Sequence, residues 1–126
     1  MRSPLVAIID DDEALGSSLV DLMRSIGYCA EPFVSAETFL MSSSLFLFDC
    51  VVADVHMHAM SGLNLVQWLQ DQGYMTPVIL ITALPDRRLD DEAISVGAQC
   101  LVRKPFESKA LLHYVAKCLS HERPPR

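Results

Sequence analysis

Three short apolar runs constrain this chain more than anything else in it: Leu5-Val6-Ala7-Ile8-Ile9, Cys50-Val51-Val52-Ala53 and Pro77-Val78-Ile79-Leu80-Ile81. Each is rich in β-branched residues and apolar at nearly every position. A strand with one wet face alternates apolar and polar residues; these do not, so both faces are expected to be buried. That is the pattern of central strands in a parallel sheet. Cys100-Leu101-Val102 reads as a weaker fourth strand. A fifth, Tyr28 to Val34, contains Pro32, which cannot donate to a ladder and assigns it to an edge.

Helical periodicity fills the intervals. Between Asp12 and Ile26, the residues Leu15, Leu19, Leu22, Met23 and Ile26 share one face, and Gly27 follows as a left-handed stop. Ser35–Met41 turns Ala36, Phe39 and Leu40 inward, and Leu63–Gln72 turns Leu65, Val66 and Leu69. Arg87–Val96 offers Leu89, Ala93 and Ile94, and Glu107–Leu119 offers Leu111, Leu112, Val115 and Leu119. Strand and helix thus alternate five times. Right-handed crossovers place helices on both sheet faces, and the flavodoxin-like (βα)5 doubly wound arrangement with strand order 2-1-3-4-5 is predicted.

Composition narrows the function. A formal net charge of −6 disfavours a nucleic-acid-binding surface. No apolar run reaches the roughly 18 residues of a membrane span. Three aspartates directly after the first apolar run argue against a signal peptide, so a cytoplasmic protein is expected. Cys29, Cys50, Cys100 and Cys118 show no metal-ligand spacing and read as small buried side chains in a reducing compartment. Residues 1–121 are expected to form one domain. The tail from Glu122, with Pro124 and Pro125, reads as the start of a linker, with no DNA-binding domain in this chain.

In a parallel sheet all strand C-termini lie on one edge, where ligands bind. After Ile9 come Asp10, Asp11 and Asp12; after Ala53, Asp54; after Ile81, Thr82; after Val102 and Arg103, Lys104 and Pro105. Four strands therefore bring acids, a hydroxyl and an amine to one place. Singly, each has a plainer reading. Asp10 to Glu13 could serve only as a helix N-cap, a role suited to Asp12. Asp54 could be a turn residue, Thr82 an ordinary strand residue and Lys104 a solvated surface lysine. Their coincidence is the signal.

Over essentially its whole length the chain resembles the receiver domain of two-component response regulators. The motifs that carry the likeness are Ile9-Asp10-Asp11-Asp12-Glu13, Asp54 with Met57 and Met60-Ser61-Gly62, Thr82-Ala83, and Lys104-Pro105-Phe106. Ser35-Ala36-Glu37 with Phe39-Leu40, and Lys104-Pro105-Phe106-Glu107, look most like receivers of nitrogen-fixation and LuxR-type transcription regulators. The resemblance implies a phosphoacceptor rather than an enzyme acting on other substrates. Asp54 would take a phosphoryl group from a sensor histidine kinase. Asp10, Asp11, Asp54 and the backbone carbonyl of His56 would hold Mg2+. Lys104 and Thr82 would bind phosphoryl oxygens, the small Ala83 would let its N–H approach, and the Lys104–Pro105 bond would be cis. Phosphoryl transfer rests mainly on positioning and charge neutralisation, which these residue types supply.

Two departures stand out. Where most relatives have Met-Pro, this chain has Met57-His58, leaving a less constrained loop in which His56 and His58 are either exposed or part of a transition-metal site. Where the family usually carries Tyr or Phe, three residues before the lysine, this chain has Leu101. The usual switch pairs Thr82 with that aromatic; with Leu101 the loop Ala83-Leu84-Pro85-Asp86 should carry more of the change. The responding surface would be the face of Arg87–Val96 and Cys100–Arg103, where phosphorylation-dependent homodimerisation is expected. A degenerate receiver is disfavoured because every active residue type is present. A flavin carrier would need a phosphate loop where three aspartates stand. An aspartyl-phosphate hydrolase would carry an acid at position 56, which is His.

Overall fold

The computed structural model describes residues 3–43 and 45–120. In chain order the elements are β1 Leu5–Ile9, α1 Glu13–Ser25, β2 Cys29–Phe33, α2 Ala36–Leu40, a 3-10 turn Leu45–Leu47, β3 Cys50–Asp54, α3 Gly62–Asp71, β4 Val78–Thr82, α4 Arg88–Val96, β5 Cys100–Arg103 and α5 Ser108–Ser120. The five strands form one parallel sheet in the order β2-β1-β3-β4-β5. This is the predicted flavodoxin-like arrangement. The tail read as a linker lies outside the described residues.

The absence of alternation in the apolar runs has its expected cause. Ala7, Ile9, Val51, Ala53, Val78 and Leu80 point to one face, where Phe39, Leu65, Val66, Leu69, Leu89 and Ala93 of α2, α3 and α4 cover them. Val6, Ile8, Cys50, Val52, Ile79 and Ile81 point to the other, under Leu19, Val20, Met23, Leu111 and Val115 of α1 and α5. Successive strand residues face opposite sides, so a strand clothed on both sides must be apolar throughout. Edge strand β2 has no such need, and Pro32 sits in it opposite Ile8.

Several readings are corrected. Ile94 is 75% exposed and does not join Leu89 and Ala93 inside; Ile26 also faces outward, beyond the end of α1. Cys29 is exposed, whereas Cys50 and Cys118 are buried and Cys100 is half-buried. The strands β3, β4 and β5 each run one residue past the apolar run to include Asp54, Thr82 and Arg103. A 3-10 turn at Leu45–Leu47, which no periodicity announces, buries Leu45; Phe48, just after it, packs edge-on against Phe33 and Phe39 at ring separations of 5.8 and 5.4 Å. Among the described residues no helix is long and apolar enough to cross a membrane.

Candidate functional site

The strand C-termini deliver the expected side chains to one edge. Asp10 follows β1 and is buried, its Oδ1 accepting the Asp12 N–H at 2.9 Å. Asp12 performs the capping role, accepting the Leu15 N–H at 3.2 Å. Burial pushes the Asp10 carboxyl above the ordinary aspartate value. The bond from the Asp12 amide opposes this, while the neighbouring Asp54 charge adds to it.

Asp54 ends β3 and is also buried. Its Oδ1 accepts the His56 N–H at 2.9 Å, and its Oδ2 receives a 2.9 Å hydrogen bond from Lys104 Nζ. The same ammonium lies 3.9 Å from Asp10 Oδ2. Burial acts to lower the Lys104 pKa, but the bond to Asp54 and the charges of Asp54 and Asp10 outweigh it and the net shift is upward. The Lys104–Pro105 bond is cis.

Asp11 is exposed at the rim, 3.1 Å from Nδ1 of His58, whose side chain is otherwise almost wholly in solvent. Thr82 ends β4 fully buried, and its Oγ1 accepts the Leu84 N–H at 3.1 Å. Ala83 beside it is exposed. Leu101 is half-buried on the α4 side of the sheet, in register with Leu80. Lys104 therefore joins Asp54 by a hydrogen bond and Asp10 by a longer ion pair. Thr82 stands at the end of the neighbouring strand with its hydroxyl committed to its own loop.

Three supporting contacts leave no mark in the sequence pattern. A Cβ on Gly62, the first residue of α3, would lie 2.5 Å from the Asp54 carbonyl oxygen and 2.9 Å from Leu80 Cδ2, so only glycine lets α3 start this close to β3. The Met60-Ser61-Gly62 motif was visible, but its packing reason was not. Glu37 of α2 accepts the Met60 N–H at 3.1 Å. Arg103, the last residue of β5, grips Asp90 with both terminal nitrogens at 3.0 and 2.9 Å and donates to the Asp86 carbonyl at 2.8 Å. A charged residue finishing a strand was the only hint of that clamp.

The donor set suits a hard divalent cation. Asp10, Asp11 and Asp54 bring three negative charges against the single positive charge of Lys104, and all three offer oxygen only. Among the described residues no three acidic, imidazole or thiol side chains already form a closed cage. Magnesium needs none, because it keeps several waters and takes one or two carboxylates.

The chain matches the family described as "Response regulator receiver domain" over residues 6–116. It is similar to the response regulator protein TodT of Pseudomonas putida, 36% identical over 118 residues, covering 94% of this chain and 52% of that protein. It is also similar to the transcriptional regulatory protein FixJ of Bradyrhizobium diazoefficiens, 32% identical over 119 residues, covering 94% and 58%. The expected likeness to nitrogen-fixation and LuxR-type regulators is thereby met. The chain spans little more than half the length of these relatives. Among solved structures, FixJ-N superposes with a TM-score of 0.89 at 30% identity, covering 99% of this chain and all of that one. The beryllofluoride-activated DrrB receiver domain superposes at 0.86 and 27%, covering 95% and 100%.

Proposed function

Since the chain belongs to the response regulator receiver family, we propose that residues 1–121 form a phosphoacceptor unit in which Asp54 takes a phosphoryl group from the histidine of a sensor kinase. The observation that carries this reading is the contact of buried Asp54 with half-buried Lys104 at 2.9 Å, with Asp10 beside it. An Asp54 oxygen attacks phosphorus, and the bond from phosphorus to the kinase imidazole breaks. The imidazole nitrogen keeps the electron pair and later takes a proton from water. Asp54 becomes an acyl phosphate, which water returns slowly to carboxylate. The protein is thus a substrate that assists its own modification.

Lys104 is already hydrogen-bonded to Oδ2 of Asp54. It follows the new charge and binds a phosphoryl oxygen. Asp10, Asp11, Asp54 and the His56 carbonyl would hold Mg2+, which when bound supplies the positive charge that lets two anions approach. The Ala83 N–H and the Thr82 hydroxyl meet the remaining oxygens. The Thr82 oxygen now accepts the Leu84 N–H while its O–H can donate, and moving toward the phosphoryl group draws it away from that amide. That movement loosens Ala83–Asp86 and biases a two-state equilibrium of the α4–β5 face toward dimerisation or output control. Because Leu101 lacks a ring to swing inward, the loop and the helix after it carry more of the response than where an aromatic stands at that position. The likeness to TodT and FixJ supports an output in transcription and a place in the cytoplasm.

Treatment with acetyl phosphate and magnesium should add one phosphoryl group, read by intact mass, and Asp54→Asn should add none. Undiminished uptake by that variant would overturn the assignment. Beryllofluoride should promote self-association in sedimentation, and charge reversal at Arg87 or Arg88 should weaken it.

A further inference from the structure

Among the described residues one buried side-chain polar atom has no hydrogen-bond partner: Oε1 of Glu37. The other carboxyl oxygen, Oε2, accepts the backbone N–H of Met60, twenty-three residues away. Half-burying a carboxylate with one oxygen unpartnered costs stability, whereas an apolar side chain in that place would not. Such a group is best explained by what it holds.

What it holds is the loop between β3 and α3. This loop begins at Asp54 and includes His56, whose N–H binds Asp54 Oδ1. Directly before Met60 stands Ala59, with φ +62°, a left-handed conformation that disfavours any side chain. Its other end is pinned where the Gly62 N–H meets the Val55 carbonyl at 3.0 Å. Met57 and Met60 are only half-buried against the core, so packing alone does not fix the middle of the loop. The carboxylate of Glu37 is the polar anchor there. It is itself held firmly, in the first turn of a helix that Ser35 caps by accepting the Thr38 N–H at 3.0 Å.

We propose that Glu37 is a positioning residue for the phosphoryl site: by accepting the Met60 N–H it keeps the Val55–Ser61 loop, and with it His56 and the Asp54 carboxylate, in the geometry that receives the cation and the phosphoryl group. The inference rests on the receiver reading above and deepens it. It acts through the loop and not through contact with the reacting atoms.

Its signature is a separation of function from stability. Glu37→Ala removes the anchor and also the buried unpaired oxygen, so the thermal midpoint should hardly fall. Magnesium affinity by calorimetry, and the rate of phosphorylation by acetyl phosphate, should drop about tenfold, the scale seen when a group supporting a metal ligand is lost. Glu37→Gln keeps an acceptor oxygen for Met60 and should restore most of both. In the wild-type protein the Met60 amide should be protected from hydrogen exchange, and in Glu37→Ala that protection should disappear while β3 and β4 stay protected. An unprotected Met60 amide in the wild type would overturn the proposal even if the alanine variant failed to fold. So would a folded Glu37→Ala with wild-type magnesium affinity and rate. If the wild type took up no phosphoryl group at all, the phosphoacceptor reading itself would fall, and this inference with it.

Discussion

The two loops that flank the phosphoryl site are held by different kinds of force. Val55–Ser61, between β3 and α3, is fixed at its ends largely by main-chain geometry, with the Glu37 carboxylate holding the Met60 N–H between them. The Val55 N–H binds the Ile81 carbonyl at 2.8 Å, the Gly62 N–H returns to Val55, and Ser61 and Asn64 form a reciprocal capping box. Gly62 then leaves no room for rearrangement against Asp54. Ala83–Arg87, between β4 and α4, is fixed mostly by side chains. Leu84 hangs on the Thr82 hydroxyl, Asp86 on Arg88 and Arg103, and Asp90 on Arg103. Arg87, at the start of α4, makes no side-chain cap. Partly exposed ion pairs are worth little each and are cheaply remade; a steric wall of backbone is not. One shoulder of the site is built to stay and the other to yield.

The contrast can be broken most forcefully at Gly62. Gly62→Ala should cost about 1–3 kcal/mol of stability, the range for overpacking, or more because the clash is with backbone. Urea unfolding would measure it. A variant as stable as the wild type would mean that the first loop is not the rigid one.

Thr82→Val keeps shape but removes the acceptor of the Leu84 N–H. A lost hydrogen bond of this kind is worth about 1 kcal/mol. Exchange of the Leu84 amide should therefore quicken severalfold while the Val55 amide is unchanged. Equal quickening at both positions would remove the distinction between the loops.

Arg103→Ala should have a smaller effect on the fold, because partly exposed ion pairs contribute little, but a visible one on the switch. With the clamp gone, the first turn of α4 should exchange faster and beryllofluoride should drive self-association at lower concentration. The clamp is also acid-sensitive in a defined direction. Hydrogen bonds to Arg103 hold Asp90, and those to Arg88 hold Asp86, below the usual value of 3.8. Their contribution is present above the unfolded-state pKa and is lost as pH falls through the depressed folded values. Between pH 5 and 2 the wild type should lose the small advantage it holds over Arg103→Ala. A constant difference across that range would dissociate Arg103 from Asp90.

The mildest change sharpens the comparison from the other side. Ala59→Gly relieves a left-handed alanine but loosens the unfolded chain, so a net gain of only a few tenths of a kcal/mol is expected. Thermal melting of the two proteins side by side would detect it, and a loss would show that Ala59 is unstrained.

The sheet was readable because its strands are apolar on both faces, and Pro32 marked the edge. The positions of Asp10, Asp54, Thr82 and Lys104 were readable because strand ends in a parallel sheet converge by topology alone. Ile94 misled because helical periodicity places a residue on a stripe without saying how wide the neighbouring element's cover is; α4 is clothed only as far as Leu89 and Ala93. Glu37 with Met60 and Arg103 with Asp90 could not be found this way. Each joins two segments whose proximity depends on how loops close, and neither leaves a periodic trace.

The uneven burial of the thiols gives this protein a built-in labelling handle. Cys29 opens β2 on the outer rim of the sheet, at the strand end away from Asp54, and is the exposed one of the four. Cys50 and Cys118 are shielded, and burial pushes the half-covered Cys100 thiol up to about 11, so at neutral pH it stays protonated and unreactive. A maleimide fluorophore added briefly at neutral pH should therefore mark Cys29 alone. The dye would ride roughly a strand's length, on the order of 15 Å, from the reacting carboxylate. Tumbling and self-association could then be followed by fluorescence anisotropy in the native sequence, with no engineered cysteine near the moving loop.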